Sequence, residues 1–449
     1  MRRARVTCAC FVSGTLALAV LTHANRADAE RILFKEGESE VFTDGSVGAF
    51  LSWSYGDGFP QPTYGVAPDG NVIIVHNPAG GGWSLPSEAP LLNDPSLPAD
   101  QPVVGQGRVN MMRVRSGYVG TVLGFGARSA ISPTTKVVGY LQLWAFAESV
   151  GQRMNVRNDP DLRQGYAKIE GQWGSVLAGR THTLFSRAAT DIEVAYGHRW
   201  GVGFPPSNES YGAAIVYATP KIMGLELSVG FFDPMLPDTG GWFGTKYPRL
   251  EGELTFERTF GSTGKVVLFA NGAIQEIYRS GYCPPPTPAT PLPCSTPLAG
   301  FGYGGRFELG PMHIGVAGHR SVGIEPDYLP DVHLAAVDAA GNIRTMDGYY
   351  FQGQFVFGRF DIFAGANLAR VFLTAADQEP VPDPTDPTGT NQVIPQSVIK
   401  YQLGIHGGIV YQVARGLHVD LDYYRAQAAW YQGERQVIHV FNGGMIVNW

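Results

Sequence analysis

The residues able to do chemistry are numerous but dispersed. The ten histidines show no metal-ligand spacing, so no metal and no cofactor are expected. No Gly-x-Ser-x-Gly stands in the chain, which removes the commonest serine-hydrolase signal. His439 sits on an otherwise apolar parity with Phe441, Met445 and Val447, where an interfacial or subunit-contact role explains it better than catalysis. Glu251, Glu253 and Glu257 share one face, which reads as a hydrated wall rather than a cation site. The acidic stretch DQEPVPDPTDPTGTNQ (377–392) reads as a solvated loop before a divalent-cation site. GFGYGG (300–305) precedes no helix, so it is no phosphate cradle. Cys283 and Cys294 bracket PPPTPATPLP, which can be neither helix nor central strand. In an exported chain this favours one disulfide over two free thiols; a zinc site lacks a nearby histidine.

Export is expected from residues 1–29. Arg2, Arg3 and Arg5 precede the apolar run Val6–Leu21, and Ala27-Asp28-Ala29 offers a cleavage site before Glu30. Residues 30–449 then form a single domain. Four arginines and one aspartate leave with the leader, so 33 basic and 39 acidic side chains become 29 and 38, a net charge of −9. That balance argues against a nucleic-acid partner.

The elements that must position these residues are strands. Leu417, Val419, Leu421 and Tyr423 alternate with His418, Asp420, Asp422 and Tyr424. Leu250, Leu254 and Phe256 oppose Glu251, Glu253, Thr255 and Glu257 in the same way. A period of two with one apolar and one polar face means half-buried strands. Tight links such as SPTT (132–135), GSTG (261–264) and ARG (414–416) alternate with long irregular segments near 57–107, 181–209 and 323–345. Counting between links predicts about 16 strands, beginning with 44–56 and ending with 437–449. No run approaches the length of an apolar spanning helix, and no blade-length repeat supports a propeller. The fold class is therefore all-β: a transmembrane antiparallel barrel with long loops on one side, apolar residues toward lipid and polar ones toward water.

RQGYAKIEGQWGSVLAGR (163–180) resembles the fourth and fifth strands of the general bacterial outer-membrane porins, through Arg163, Tyr166, Trp173-Gly174 and Gly179-Arg180. RSGYVG (115–120) resembles their second strand, and the segment after Arg180 resembles their long third loop. The resemblance implies a homotrimer of 16-stranded barrels in the outer membrane, with the third loop folded inward to narrow the pore. Small hydrophilic solutes and ions would diffuse passively through it. It implies wall arginines at Arg115 and Arg163, loop acids at Asp191 and Glu193, Arg180 at the start of the loop, and His182 and Tyr196 lining the constriction. Opposed fixed charges across a wet hole supply the discrimination that width alone cannot. The loop-tip Pro-Glu-Phe-Gly of the family is replaced by EVAYGHRW, and strand polarity alone would turn Arg163 outward. Acidic residues suggest mild cation preference. The alternatives are a solute-specific channel, or a plugged barrel acting as an adhesin or a lipid-modifying enzyme.

VIHVFNGGMIVNW (437–449) is expected to be the closing strand, pairing with the first. Phe441 and Trp449 would face lipid or a neighbouring subunit, with Trp449 in an aromatic girdle and serving as the tag read by the barrel-assembly machinery.

Overall fold

The computed structural model describes residues 30–57, 63–66, 72–78, 108–115, 121–145, 160–185, 187, 211–234, 242–261, 264–279, 295–324, 342–379, 381–382, 392–393 and 396–449. Its elements begin with β1 (Arg31–Glu36), β2 (Ser39–Asp57), β3 (Thr63–Val66), β4 (Val72–Pro78), β5 (Arg108–Arg115) and β6 (Thr121–Ser132). There follow β7 (Thr135–Ala145), β8 (Asp161–Gly171), β9 (Gly174–His182), β10 (Tyr211–Ala218), β11 (Leu225–Phe232), β12 (Trp242–Gly244) and β13 (Arg249–Phe260). Next are β14 (Gly264–Arg279), β15 (Ser295–Leu309), β16 (Met312–Val322), β17 (Thr345–Phe357) and β18 (Phe360–Phe372). The last are the short β19 (Val381–Pro382), β20 (Gln392–Val393) and β21 (Gln396–Ser397), then β22 (Ile399–Ala414), β23 (Leu417–Trp430) and β24 (Arg435–Asn448).

Sixteen of these close an antiparallel barrel. From β6 each strand pairs with its sequence neighbour in the ring, through β7–β11 and β13–β18 to β22–β24. The ring is sealed by β2, which pairs along Ser46–Gly56 with β24 and along Ser39–Ser46 with β6. On the second edge its far half continues onto β5, Phe50 opposite Arg115; on the first edge its near half carries β1, Arg31 opposite Thr43. The first strand thus begins at Ser39 rather than near 44, and a further strand precedes it, both beyond what the weak alternation of RILFKE reveals. The segment after β2 is not loop throughout: β3 pairs with β4, and β4 pairs in parallel with β21, joining it to the segment that precedes β22.

The pleat sends alternate side chains to opposite faces. Outward stand Leu51, Trp53, Phe125, Leu141, Ile169, Ile215, Phe231, Ile274, Phe301, Phe351, Ile405, Leu421, Phe441 and Met445, all exposed. Inward stand Ser52, Ser54, Gln142, Gln164, Lys168, Ser228, Glu251, Glu253, Asn271, Gln352, Gln354, Gln402, Asp420, Asp422 and Asn442, all buried. This is the inverse of a soluble protein: the apolar set faces out, and the polar set faces in, as a lipid-embedded closed sheet requires. Turn glycines take φ values that side chains resist, for example Gly310 (φ 59°) and Gly358 (φ 61°) in the tight links.

In the closing strand the expected parity holds. Phe441 stacks on Trp53 at 5.8 Å and meets Tyr423 at 4.9 Å, on the outer face. Trp449 exchanges backbone hydrogen bonds of 3.0 and 3.1 Å with Gly45, at the turn end of the barrel. A Cβ at Gly45 would come within 2.5 Å of the indole, so the missing side chain makes room for that ring. His439 lies in the same outer aromatic group as Phe441. Its Nδ1 is 2.7 Å from the Tyr423 hydroxyl, and its ring stacks on Tyr55 at 4.8 Å.

Candidate pore-lining site

The chain leaves β9 at His182 and turns directly into the barrel. A turn of helix begins, with the Arg187 amide donating to the Thr183 carbonyl at 3.0 Å. The inner wall receives it at several points. The Phe185 amide donates to Glu251 Oε2 at 3.1 Å, and Asn271 Nδ2 donates to the Leu184 carbonyl at 3.1 Å. The Arg187 guanidinium pairs with Glu253 and donates to Ser228 Oγ at 3.3 Å. The Phe185 side chain packs with Ala273, Ile277, Leu298 and Ile324, while Leu184 packs with Ala214, Val216 and Phe232. A Cβ on Gly300 would meet the Phe185 ring at 2.5 Å, so this glycine of GFGYGG provides the dent that the ring fills. The third loop therefore starts inside the barrel, anchored on β11, β13, β14 and β15.

Charge explains why this wall tolerates buried carboxylates. Glu251 pairs with Arg249 at 2.6 Å, with 0% and 3% of the two side chains exposed. A carboxylate so enclosed needs a cation and donors at its oxygens, and here it has Arg249 and the loop amide. Glu257 is different: it lies at the turn end, bridged to Lys221 and Lys265 at 2.6 Å each and part-exposed. The face that reads as one hydrated wall in the sequence thus divides into two buried loop anchors and one surface bridge.

Arg163 is the extra residue of a β-bulge. Gln142 pairs with Gln164 and Leu143 with Leu162, leaving Arg163 unmatched. Its guanidinium lies 4.8 Å over Trp144, an inward ring that donates to Gln142, and 5.5 Å over Tyr211. Polarity alone turns Arg163 outward, whereas the bulge breaks the alternation and returns it to an inward ring. His182 is buried, with its ring 4.3 Å from Tyr211, so Arg163 and His182 meet through that tyrosine. Arg180 goes elsewhere. It pairs with Gly165 and Ala213 on the outward parity, and its Nε donates to the Leu162 carbonyl at 2.9 Å. Arg115 ends β5 opposite Phe50. Asp191, Glu193, Tyr196, Cys283 and Cys294 lie outside the described residues.

Across the lumen the wall is amide-rich. Ser52 Oγ donates to Asn442 Oδ1 at 2.6 Å, and Asn442 Nδ2 donates to Asp422 Oδ1 at 2.6 Å. Gln352 and His406 Nε2 are 3.2 Å apart. Tyr140 donates to both oxygens of Asp44, at 2.9 and 3.0 Å. Toward the loop end this wall becomes apolar, through Met346, Val371, Tyr424, Ala428, Trp430 and Ile438. Sequence reading missed the anchoring role of Phe185, and only the missing side chain at Gly300 hinted at a partner.

No family model and no curated protein sequence matches the chain. Solved structures do. The outer membrane channel DcaP of Acinetobacter baumannii is 11% identical, with a TM-score of 0.62 over 93% of this chain and 99% of that one. The anion-selective porin from Comamonas acidovorans is 13% identical, with a TM-score of 0.53 over 92% of this chain and 100% of that one. Salmonella typhi OmpF, in complex with daunomycin, is 10% identical, with a TM-score of 0.51 over 92% of this chain and 98% of that one. The fold is that of the 16-stranded outer-membrane porins.

Proposed function

We propose that this chain is an outer-membrane porin, through which small hydrophilic solutes and ions diffuse passively. The observation that carries the reading is the inward course of Thr183–Arg187, fixed to the polar inner wall of a closed barrel. A third loop that enters the barrel here would narrow the lumen, which is how a pore selects by size and charge. Asp191, Glu193 and Tyr196 follow on this loop and are the constriction's expected loop side; Arg115, Arg163 and His182 are its expected wall. Mild cation preference is read from the acidic inner face, on which Glu251, Glu253, Asp420 and Asp422 stand, the first two paired with arginines. The solved structure named as anion-selective has the same fold, so the barrel alone does not set the sign of the preference.

Planar-bilayer recording tests the reading. Discrete conductance steps, with a reversal potential in a KCl gradient favouring K⁺, are expected, and a silent bilayer would overturn it. Replacing Asp191 and Glu193 together by alanine should change conductance and lower cation preference. A second reading, a barrel with a filled interior, has its own observation: Gln352 and Gln436 point inward yet have 0% exposed surface. Such a barrel would be silent in the same recording.

We also propose a homotrimer. Ala127, Gly139, Ala167 and Ala178 stand side by side on the outer face of β6–β9, with Arg180 in the next row. A guanidinium is costly against hydrocarbon, and small residues let a neighbouring copy approach. Chemical cross-linking in membranes should give trimers; monomers alone would refute it. One disulfide between Cys283 and Cys294 remains the reading for the proline-rich loop, and alkylation that labels both thiols without reductant would exclude it.

A further inference from the structure

The outer face carries cations where an apolar face is expected. Across six neighbouring strands one row at the loop end runs Arg320 on β16, Asp347 on β17, Arg370 on β18, Tyr401 on β22, Ala429 on β23 and Arg435 on β24. Arg425 lies two outward positions along β23 from Ala429, toward the middle of the barrel wall and opposite His439. All are on the parity of the exposed Val322, Tyr349, Phe351, Ile362, Ile405, Leu421 and Phe441. At strand spacing the row spans about 24 Å around the barrel. Continued by register beyond Arg320, the row meets Phe301 on β15, Gly272 on β14, Gly252 on β13 and Val229 on β11, without a charge.

The row is nearly all positive. Its one carboxylate, Asp347, is buried and taken up by Arg370 through paired bonds of 2.8 and 2.7 Å. Arg320 is exposed and rests 5.5 Å over Phe372. Arg425 and Arg435 both donate to one acceptor, Gln427 Oε1, at 2.8 and 3.1 Å, and Gln427 is held in turn by the Tyr401 hydroxyl at 2.7 Å. Among the described residues none of Arg320, Arg425 and Arg435 has a carboxylate partner. Each guanidinium carries five N–H donors, and the amide oxygen takes one from each. Guanidinium forks match phosphate oxygens two at a time, and aromatic rings beside them suit a headgroup with an apolar body below.

We propose that this row binds the phosphorylated headgroup of a glycolipid in the outer leaflet, its acyl chains lying on the apolar strands beneath. The inference rests on the outer-membrane reading, in which the long loops mark the external side. The experiment uses the full-length protein in detergent, with native mass spectrometry against lipopolysaccharide, enzymatically dephosphorylated lipopolysaccharide and phosphatidylcholine. Wild type should retain only the phosphorylated glycolipid. Arg320→Gln, Arg425→Gln and Arg435→Gln together should weaken retention roughly 100-fold, and Arg435→Gln alone about fivefold, from a typical contribution per surface cation. Arg258→Gln, which removes an outward arginine at the opposite end of the barrel, should change nothing.

Equal retention by wild type and Arg435→Gln would overturn the proposal even if the triple variant does not fold. So would equal retention of dephosphorylated glycolipid, or displacement by millimolar inorganic phosphate, which would make the ligand a free anion. If the variants altered the oligomeric state while lipid retention held, the row would be the seat of a second copy and the proposal would fail. Bilayer conductance of the same samples is a separate measurement, so a silent but lipid-binding barrel would refute the channel alone.

Discussion

On strands β11–β15 the inward side chains are committed to the third loop: Ser228, Glu251, Glu253 and Asn271 each bond to Leu184, Phe185 or Arg187. On β17–β24 and β2 the bonds between described inward side chains include the chain Ser52–Asn442–Asp422 and the pair Gln352–His406. Both walls are polar and both are buried. The first holds its acids against arginines; the second carries Asp420 and Asp422, the latter bonded to Asn442. The difference teaches that a polar inner parity does not by itself identify a pore surface. One wall holds the start of the third loop, and the other, on the channel reading, is a surface across which solute would pass.

The strongest way to break this comparison is to unmount the loop. Glu251→Gln leaves Arg249 buried without its partner and takes a full charge from the acceptor of the Phe185 amide; removing one member of such a pair typically costs about 3–5 kcal/mol. The expected result is a lower temperature for loss of heat-modifiable mobility on gels, with larger single-channel conductance. Unchanged conductance would mean the loop is held elsewhere. Gly300→Val attacks the same mount through packing, since its side chain would occupy the place of the Phe185 ring. Overpacking of this kind costs about 1–3 kcal/mol, and Gly300→Ala should cost less. Calorimetry on the two variants would settle the ranking.

Changes to the opposite wall should move selectivity more than they loosen the loop. Asp420→Asn with Asp422→Asn is expected to shift the reversal potential toward that of a neutral pore, with a smaller loss of stability than Glu251→Gln. A large loss of stability with unaltered selectivity would make that wall a mount as well.

A smaller effect is expected at Asp377, in the short 3-10 turn Ala376–Gln378 between β18 and β22. Burial alone would raise its pKa, but bonds from Arg344 at 2.7 and 2.9 Å and from the Thr374 amide at 3.1 Å outweigh it, and the carboxyl is held below its ordinary value. A depressed folded-state pKa contributes stability above the unfolded value near 3.9, lost as pH falls through the folded value. Protection factors of the Thr374–Gln378 amides, with the intrinsic pH dependence of exchange divided out, should therefore be flat from neutrality to about pH 4 and fall below it. Smallest of all, Lys221→Ala at the exposed bridge to Glu257 should cost under about 1 kcal/mol, measured by the same calorimetry.

The barrel was legible because lipid on one side and water on the other impose a period of two that survives sequence divergence. The expected strands agree with the structure to within a few residues along most of the chain. Arg163 was not legible, because a single bulged residue reverses parity and leaves no mark in composition. Glu251 and Glu253 were visible as a face, but their partners are a loop segment far away in sequence. The outward arginines were visible in principle: Arg370 and Arg425 fall on the apolar parity of their own strands, and a charge there asks for a ligand.

The seam at β2 has a consequence for the order of events during folding. Nearly every other pairing in the ring joins adjacent strands, and can form as soon as the second one arrives. The contact of Ser52 with Asn442 spans 390 positions and exists only once β24 is in place. Until then β2 and β23 each present an open edge, and the cost of joining them is that of closing the largest loop in the molecule. Closure is thus a single late event with no partial form. A lesion in β2 or β24 should leave a long-lived open intermediate, while an equal lesion in a middle strand should merely slow its growth.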